Sequence, residues 1–130
     1  MKGETKTYVR IDNWGEMELT LLVDTVRQLK DHGSWTLKDW RPRPALIDKN
    51  GKTSRIYTGQ NYDPKYIDLV QDGWTHDHCE ICNKTITNKD DNLTKGYNSN
   101  HDWVCEACYG LFMTTADINN ELKKFDKVEK

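Results

Sequence analysis

No stretch of this chain approaches the roughly 18 consecutive apolar residues that a membrane span requires, and no membrane partner is expected. The opening residues, Met1-Lys2-Gly3-Glu4-Thr5-Lys6, lack the apolar segment of a secretory signal. A cytoplasmic, reducing location is therefore expected. There is no internal repeat and no low-complexity linker. Neither sign of charge dominates: 19 basic residues stand against 21 acidic ones. Apolar content is modest as well, with 35% hydrophobic residues and a mean hydropathy of −0.92. A compact core must then lean on large aromatics and on any metal the chain binds. Five Trp and six Tyr supply much apolar area per residue.

The 130 residues suit one domain, or one with a small appendage. Two parts are expected, 1–73 as an α+β N-terminal part and 74–130 as a metal-binding module with a C-terminal helix, packed as one body. Charge divides between them. Residues 1–75 carry 12 basic and 11 acidic side chains, and residues 76–130 carry 7 and 10.

Thr7-Tyr8-Val9-Arg10-Ile11 alternates as an edge strand would. Asn13 followed by Glu16 has the form of a capping box. Leu19, Leu22, Val23, Val26 and Leu29 then recur at helical spacing, which predicts an amphipathic helix over 14–32 closed by Gly33. Pro42 and Pro44 exclude a continuous helix in the Trp-rich stretch 34–44. Ala45-Leu46-Ile47, the Asn50-Gly51 turn and Thr53 to Thr58 predict a β-hairpin. Pro64, with Tyr66, Ile67, Leu69 and Val70, predicts a short helix closed by Asp72-Gly73.

The four cysteines fall into two pairs, Cys79-x2-Cys82 and Cys105-x2-Cys108, with 22 residues between. A two-residue gap lets both thiolates of a pair turn toward one ion at about 2.3 Å, as tetrahedral zinc requires. In a chain with no export signal this pattern points to metal rather than to two disulfides. The expected cofactor is one Zn2+ held by Cys79, Cys82, Cys105 and Cys108. A closed shell of four thiolates leaves no position for a reacting water, so the ion is structural. His76, His78 and His101 lie near the pairs in sequence. His78 and His101 are candidates for orienting the ligands from behind, and a set with His101 in place of one thiolate is the alternative.

Ile86-Thr87 and Tyr97 flank the polar stretch Asn88 to Lys95 as two arms of a hairpin would. Trp103-Val104 runs into the second cysteine pair, and Leu111, Phe112, Thr115, Ile118, Leu122 and Phe125 follow at helical intervals. Knuckle, hairpin, then a helix whose first turn carries the second pair is the treble-clef arrangement. The expected fold class is α+β, an N-terminal helix and β-hairpin packed with a treble-clef-like four-cysteine module.

The run Asp77-His78-Cys79-Glu80-Ile81-Cys82, with Gly96-Tyr97 and Trp103-Val104-Cys105-Glu106-Ala107-Cys108-Tyr109, resembles a group of small bacterial proteins with a C-terminal zinc module. The resemblance covers residues 74–112 and implies the metal site and a bacterial origin, but no activity. More broadly the module is similar to treble-clef and zinc-ribbon fingers, which serve DNA binding, protein binding and nuclease chemistry.

Three functions follow. The segment His76 to Phe112 holds Asp77, Glu80, Asp90, Asp91, Asp102 and Glu106 against three lysines. A zinc with four thiolates adds a formal −2, and such a surface repels phosphate. The first expectation is a non-catalytic protein-interaction or regulatory module, such as an adaptor or immunity protein, whose partner is another protein. The alternative is nucleic-acid binding through the basic and aromatic segment 35–57, with Lys38, Arg41, Arg43, Lys52 and Arg55 as contacts. Against it, the pI is near 6.1. The second alternative is an HNH-like nuclease. That chemistry needs a hairpin histidine, for which only His101 offers itself, and every cysteine is committed to metal. No enzymatic activity is expected.

Overall fold

Alternation of buried and exposed side chains, and one apolar helical stripe, organise the chain around a shared core. The structure is a computed structural model and describes residues 6–11, 15–89 and 93–130. Strand β1 (Thr7–Ile11) buries Val9 and Ile11. It lies between β2 (Gly15–Glu18) and the last strand, β11 (Asp126–Glu129), both antiparallel to it. It is thus a central strand and not the edge strand that its short alternation suggested.

Helix α1 runs over Leu19–Lys30, shorter than the expected 14–32 because residues 15–18 pair with β1 instead. Glu18 caps it, its carboxylate accepting from the amides of Thr20 at 3.3 Å and Leu21 at 2.7 Å. The proposed cap Asn13 lies outside the described residues. Leu22, Val23, Val26 and Leu29 are buried as the stripe predicts, and Gly33 takes a φ of +92° just beyond the helix.

Strand β3 (Thr36–Asp39) was not legible in the sequence, since all four of its residues are exposed. Strands β4 (Arg43–Asp48) and β5 (Ser54–Ile56) form the expected hairpin, with Ala45 opposite Ile56 and Ile47 opposite Ser54. The helix expected after Pro64 is instead strand β6 (Ile67–Trp74), paired along the other edge of β4. Ile67 and Leu69 alternate with exposed Asp68 and Val70, a period of two that the helical reading overlooked. Gly73 does not end a helix but sits inside β6, where a Cβ would lie 2.9 Å from Val70 Cβ and 3.1 Å from Ala45 Cβ.

The second part contains the short hairpin β7 (Asp77–His78) and β8 (Thr85–Ile86), then β9 (Lys95–Ser99) and β10 (Asp102–Val104). The module hairpin is therefore β9–β10, turning through Asn100 and His101, rather than arms at 86–87 and 97. Strand β3 pairs antiparallel along the free edge of β9.

The single C-terminal helix is also replaced. Helix α2 (Glu106–Cys108) passes into a π turn at Tyr109–Met113, and α3 (Ile118–Glu121) starts afresh before a 3-10 turn at Leu122–Lys124. Asp117 causes the restart, its carboxylate accepting from the amides of Asn119 and Asn120. The helical spacing of Phe112, Ile118 and Leu122 is real, and all three are buried, but on successive short turns.

The core draws on both parts: Val9, Leu22, Val26 and Trp40 with Ile86, Trp103, Val104, Phe112 and Leu122. All four cysteines touch it. The observed class is mixed α and β, mostly strands in small sheets with short helices. Among the described residues no helix is long and apolar enough to cross a membrane.

Candidate metal centre

The cysteines reach one another because two tight turns are held side by side. Cys79 ends the β7 arm, and its amide donates to the Lys84 carbonyl at 2.9 Å. The chain reverses through Asn83, whose φ is +64°, and the Asn83 amide donates to the Cys79 carbonyl at 2.9 Å. That turn brings Cys82 back beside Cys79. Strand β10 docks on it: Cys79 bridges Trp103, and the Glu80 amide donates to the Trp103 carbonyl at 2.8 Å. Two residues on, Cys105 caps α2 and Cys108 lies in its only turn.

The ligand atoms of Cys79, Cys82, Cys105 and Cys108 all lie within 4.8 Å of one another. Cys82 Sγ stands 3.7 Å from Cys105 Sγ. Sulfurs at about 2.3 Å around a tetrahedral ion are about 3.8 Å apart, whereas a disulfide needs about 2.05 Å. All four cysteines are free. The geometry therefore fits a metal ion, and it excludes the pair of disulfides.

Backbone amides surround the sulfurs. Ile81 N and Cys105 N donate to Cys79 Sγ at 3.4 and 3.3 Å, and Cys108 N donates to Cys105 Sγ at 3.5 Å. Such donors favour the thiolate form. Hydrogen bonds from Cys105, Cys108 and Cys82 hold the Cys79 thiol far below its ordinary range. Those from Cys105 and Cys108 bring Cys82 down to about 7. Cys108 is pushed far up, first by Cys105 and then by Cys79 and Cys82. Cys108 pulls Cys105 down, but Cys79, Cys82 and burial together drive it above its ordinary value. Four sulfurs this close cannot all ionise alone, and a bound cation removes that conflict.

Neither His78 nor His101 belongs to this cluster. His78 is exposed, with its ring centroid 5.0 Å from that of His76, and His101 is exposed in the β9–β10 turn. The hydrogen bonds donated by nitrogen to the sulfurs among the described residues come from the backbone amides of Ile81, Cys105 and Cys108.

Of the five basic residues, Lys38, Arg41 and Arg43 line one pocket. Lys38 lies on β3 and Arg41 beyond it, both exposed. Lys52 and Arg55 belong to the β4–β5 hairpin. Arg43 is engaged within the fold, its Nη2 donating to Asp77 Oδ2 at 2.7 Å.

Asp77 is the residue that sequence reasoning missed. Besides Arg43 it accepts from Trp40 Nε1 at 2.8 Å and Trp74 Nε1 at 3.1 Å. Only Trp74 lies near it in sequence; Trp40 and Arg43 come from the chain before β4 and within β4, so no sequence signal pointed to the set. Asp77 is thus no part of an acidic docking face, and Asp102 pairs with His32 at 2.9 Å. Glu80 and Glu106 remain exposed. Burial, then the charges of Asp102, Cys79 and Asp77, raise the Glu80 carboxyl.

No family model matches the chain, and no curated protein or solved structure is significantly similar to it. The resemblance over residues 74–112 to small bacterial proteins gains no support from these comparisons.

Proposed function

We propose that the protein is a non-catalytic zinc protein in which one structural ion closes a treble-clef-like module. The mutual approach of the four cysteine sulfurs within 4.8 Å carries this reading. The order of elements agrees with it, a knuckle at Cys79–Cys82, the β9–β10 hairpin and a helical turn opening at Cys105. Zinc suits four thiolates in a tetrahedral closed set better than the oxygen-seeking cations do. With every thiol in the cluster, no cysteine is left as a nucleophile. His101, the one hairpin histidine of the nuclease alternative, stands exposed in a turn.

The role that follows is a protein-interaction or regulatory module, of adaptor or immunity type, whose exposed Glu80 and Glu106 beside the anionic metal cluster suit a basic partner protein. Metal analysis of the purified chain tests the first step: one zinc per chain is expected, with an X-ray absorption edge fitted by four sulfurs near 2.3 Å. A metal-free protein, or a nitrogen ligand in the fit, overturns it. Capture of a basic protein that is lost in Glu80→Lys/Glu106→Lys, at unchanged zinc content, supports the second step. Equal capture by that variant removes it.

A further inference from the structure

The β3–β9–β10 sheet and the segment leading into β4 border an open pocket of about 260 Å³. Its wall carries three cations, Lys38, Arg41 and Arg43, and a single carboxylate, Asp39. Two buried nitrogens on lining residues, Arg43 Nε and Trp103 Nε1, lack any hydrogen-bond partner. They are the buried side-chain polar atoms left unpaired among the described residues. Trp103 is only 5% exposed. Leaving such a donor unpaired forfeits its hydration without return, so its occurrence twice at one pocket asks for a partner.

We propose that this pocket binds a phosphate-type oxyanion. Both orphan groups are N–H donors, and guanidinium and indole nitrogens have no acceptor capacity, so the missing partner is an acceptor. Asn98 strengthens the bias. Its amide nitrogen is already spent on the carbonyls of Asn100 and Asp102, each at 3.0 Å, and its Oδ1 accepts from Lys38 Nζ at 3.4 Å. One Arg43 nitrogen is held by Asp77, which fixes the guanidinium plane and leaves Nε to a ligand. Lys38 and Arg41 are exposed on the same wall, and the proposal requires their side chains to swing aside for an anion to reach the two screened donors. The space is several times the ~30 Å³ share of a water, enough for a phosphate group with its remaining hydration. Lys52 and Arg55 take no part in this pocket. The proposal is independent of the protein-partner reading, which can fail without touching it.

Proton–nitrogen correlation NMR of the zinc-loaded full chain tests it, because each of the five Trp contributes one indole N–H signal. Sodium phosphate is titrated against sodium chloride at matched ionic strength. The Trp103 indole signal is expected to move and saturate with phosphate while chloride leaves it in place. The exposed pair Lys38→Gln/Arg41→Gln is expected to weaken the response at least about tenfold, the loss of one charge-assisted hydrogen bond. A single-stranded oligonucleotide titrated in parallel identifies the source. Tighter binding than free phosphate at the same indole signal assigns the anion to a nucleic-acid backbone, and a response to phosphate alone assigns it to a small anion. A motionless Trp103 signal, an equal shift with chloride, or an undiminished response in the double variant overturns the proposal.

Discussion

The body that contains α1, the β1 sheet and the cysteine turns differs sharply from the sheet of β4, β5 and β6. In the first, Val9, Leu22, Val26, Phe112 and Leu122 pack into one apolar cluster together with the sulfur-bearing residues. In the second, Ala45 and Leu46 are buried but stand outside that cluster, and Tyr66 and Val70 are exposed. One region is held by apolar burial that takes in the four-cysteine cluster, the other chiefly by strand pairing. They meet at Asp77 and at Trp74, a β6 residue packed against the apolar cluster. Asp77 lies on β7 beside the cysteine turn and accepts from Arg43 of β4 and Trp74 of β6, as well as from Trp40. An aspartate therefore couples two regions whose stabilities have different physical origins.

The strongest way to break the comparison is to remove a ligand. Structural zinc contributes about 10–16 kcal/mol in small fingers, as much as the whole stability of a typical domain. Cys105→Ser is therefore expected to abolish hydrogen-exchange protection in α1 as well as around the cysteines, because Leu22 and Val26 share their core with Cys105 and Cys108. Protection of α1 that survives would show that the ion holds only its own two turns.

Asp77→Ala comes next. It strands an arginine and two indole N–H groups in a site where the carboxylate is only 11% exposed, and removing one partner of such a buried pair costs about 3–5 kcal/mol. Chemical denaturation is expected to show that loss together with separate transitions for the two regions. A single transition displaced by less than 1 kcal/mol, against the ~3–5 expected, would mean that other contacts join them.

The finest test compares two leucines. Leu22 and Leu46 are both fully buried. Leu22→Ala is expected to cost toward the upper end of the usual ~2–5 kcal/mol, and Leu46→Ala toward the lower end, since a thin sheet collapses onto a deletion more easily than a shared core. Equal losses in urea denaturation would place the β4–β6 sheet on the same footing as the main core.

The sequence reading divides along the same line. Where one residue type carries the signal, it was legible: the paired cysteines, the α1 stripe, and Asn50-Gly51 between alternating strands. It failed where the neighbour across space decides. Tyr66, Ile67, Leu69 and Val70 fit a helix face or a strand about equally, and the open edge of β4 settles the matter in favour of β6. Strand β3 buries no residue that alternation would reveal, and only the edge of β9 makes it a strand. The segment 106–125 kept its helical spacing, but the Asp117 cap cut it into pieces. At the site, Arg43 read as a surface charge because nothing in its own neighbourhood points to Asp77.

The pairing of β1 with β11 has a consequence for how the molecule is made. Arg10 faces Asp126, and the Lys6 and Lys130 backbones exchange hydrogen bonds at 3.0 and 2.9 Å. During synthesis β1 emerges before β2 to β10 and must wait for residues 126–129 before its second edge is covered. Until then an apolar strand bearing Val9 and Ile11 presents open hydrogen-bonding groups, the kind of edge that recruits other chains. The closing step spans most of the sequence, so it is slow by topology and has to follow the local turns that gather the cysteines. The cysteine turns need only the stretch from Cys79 to Cys108, so the proposed ion would bind before that step and would act as an early anchor onto which β1 and β11 are laid last.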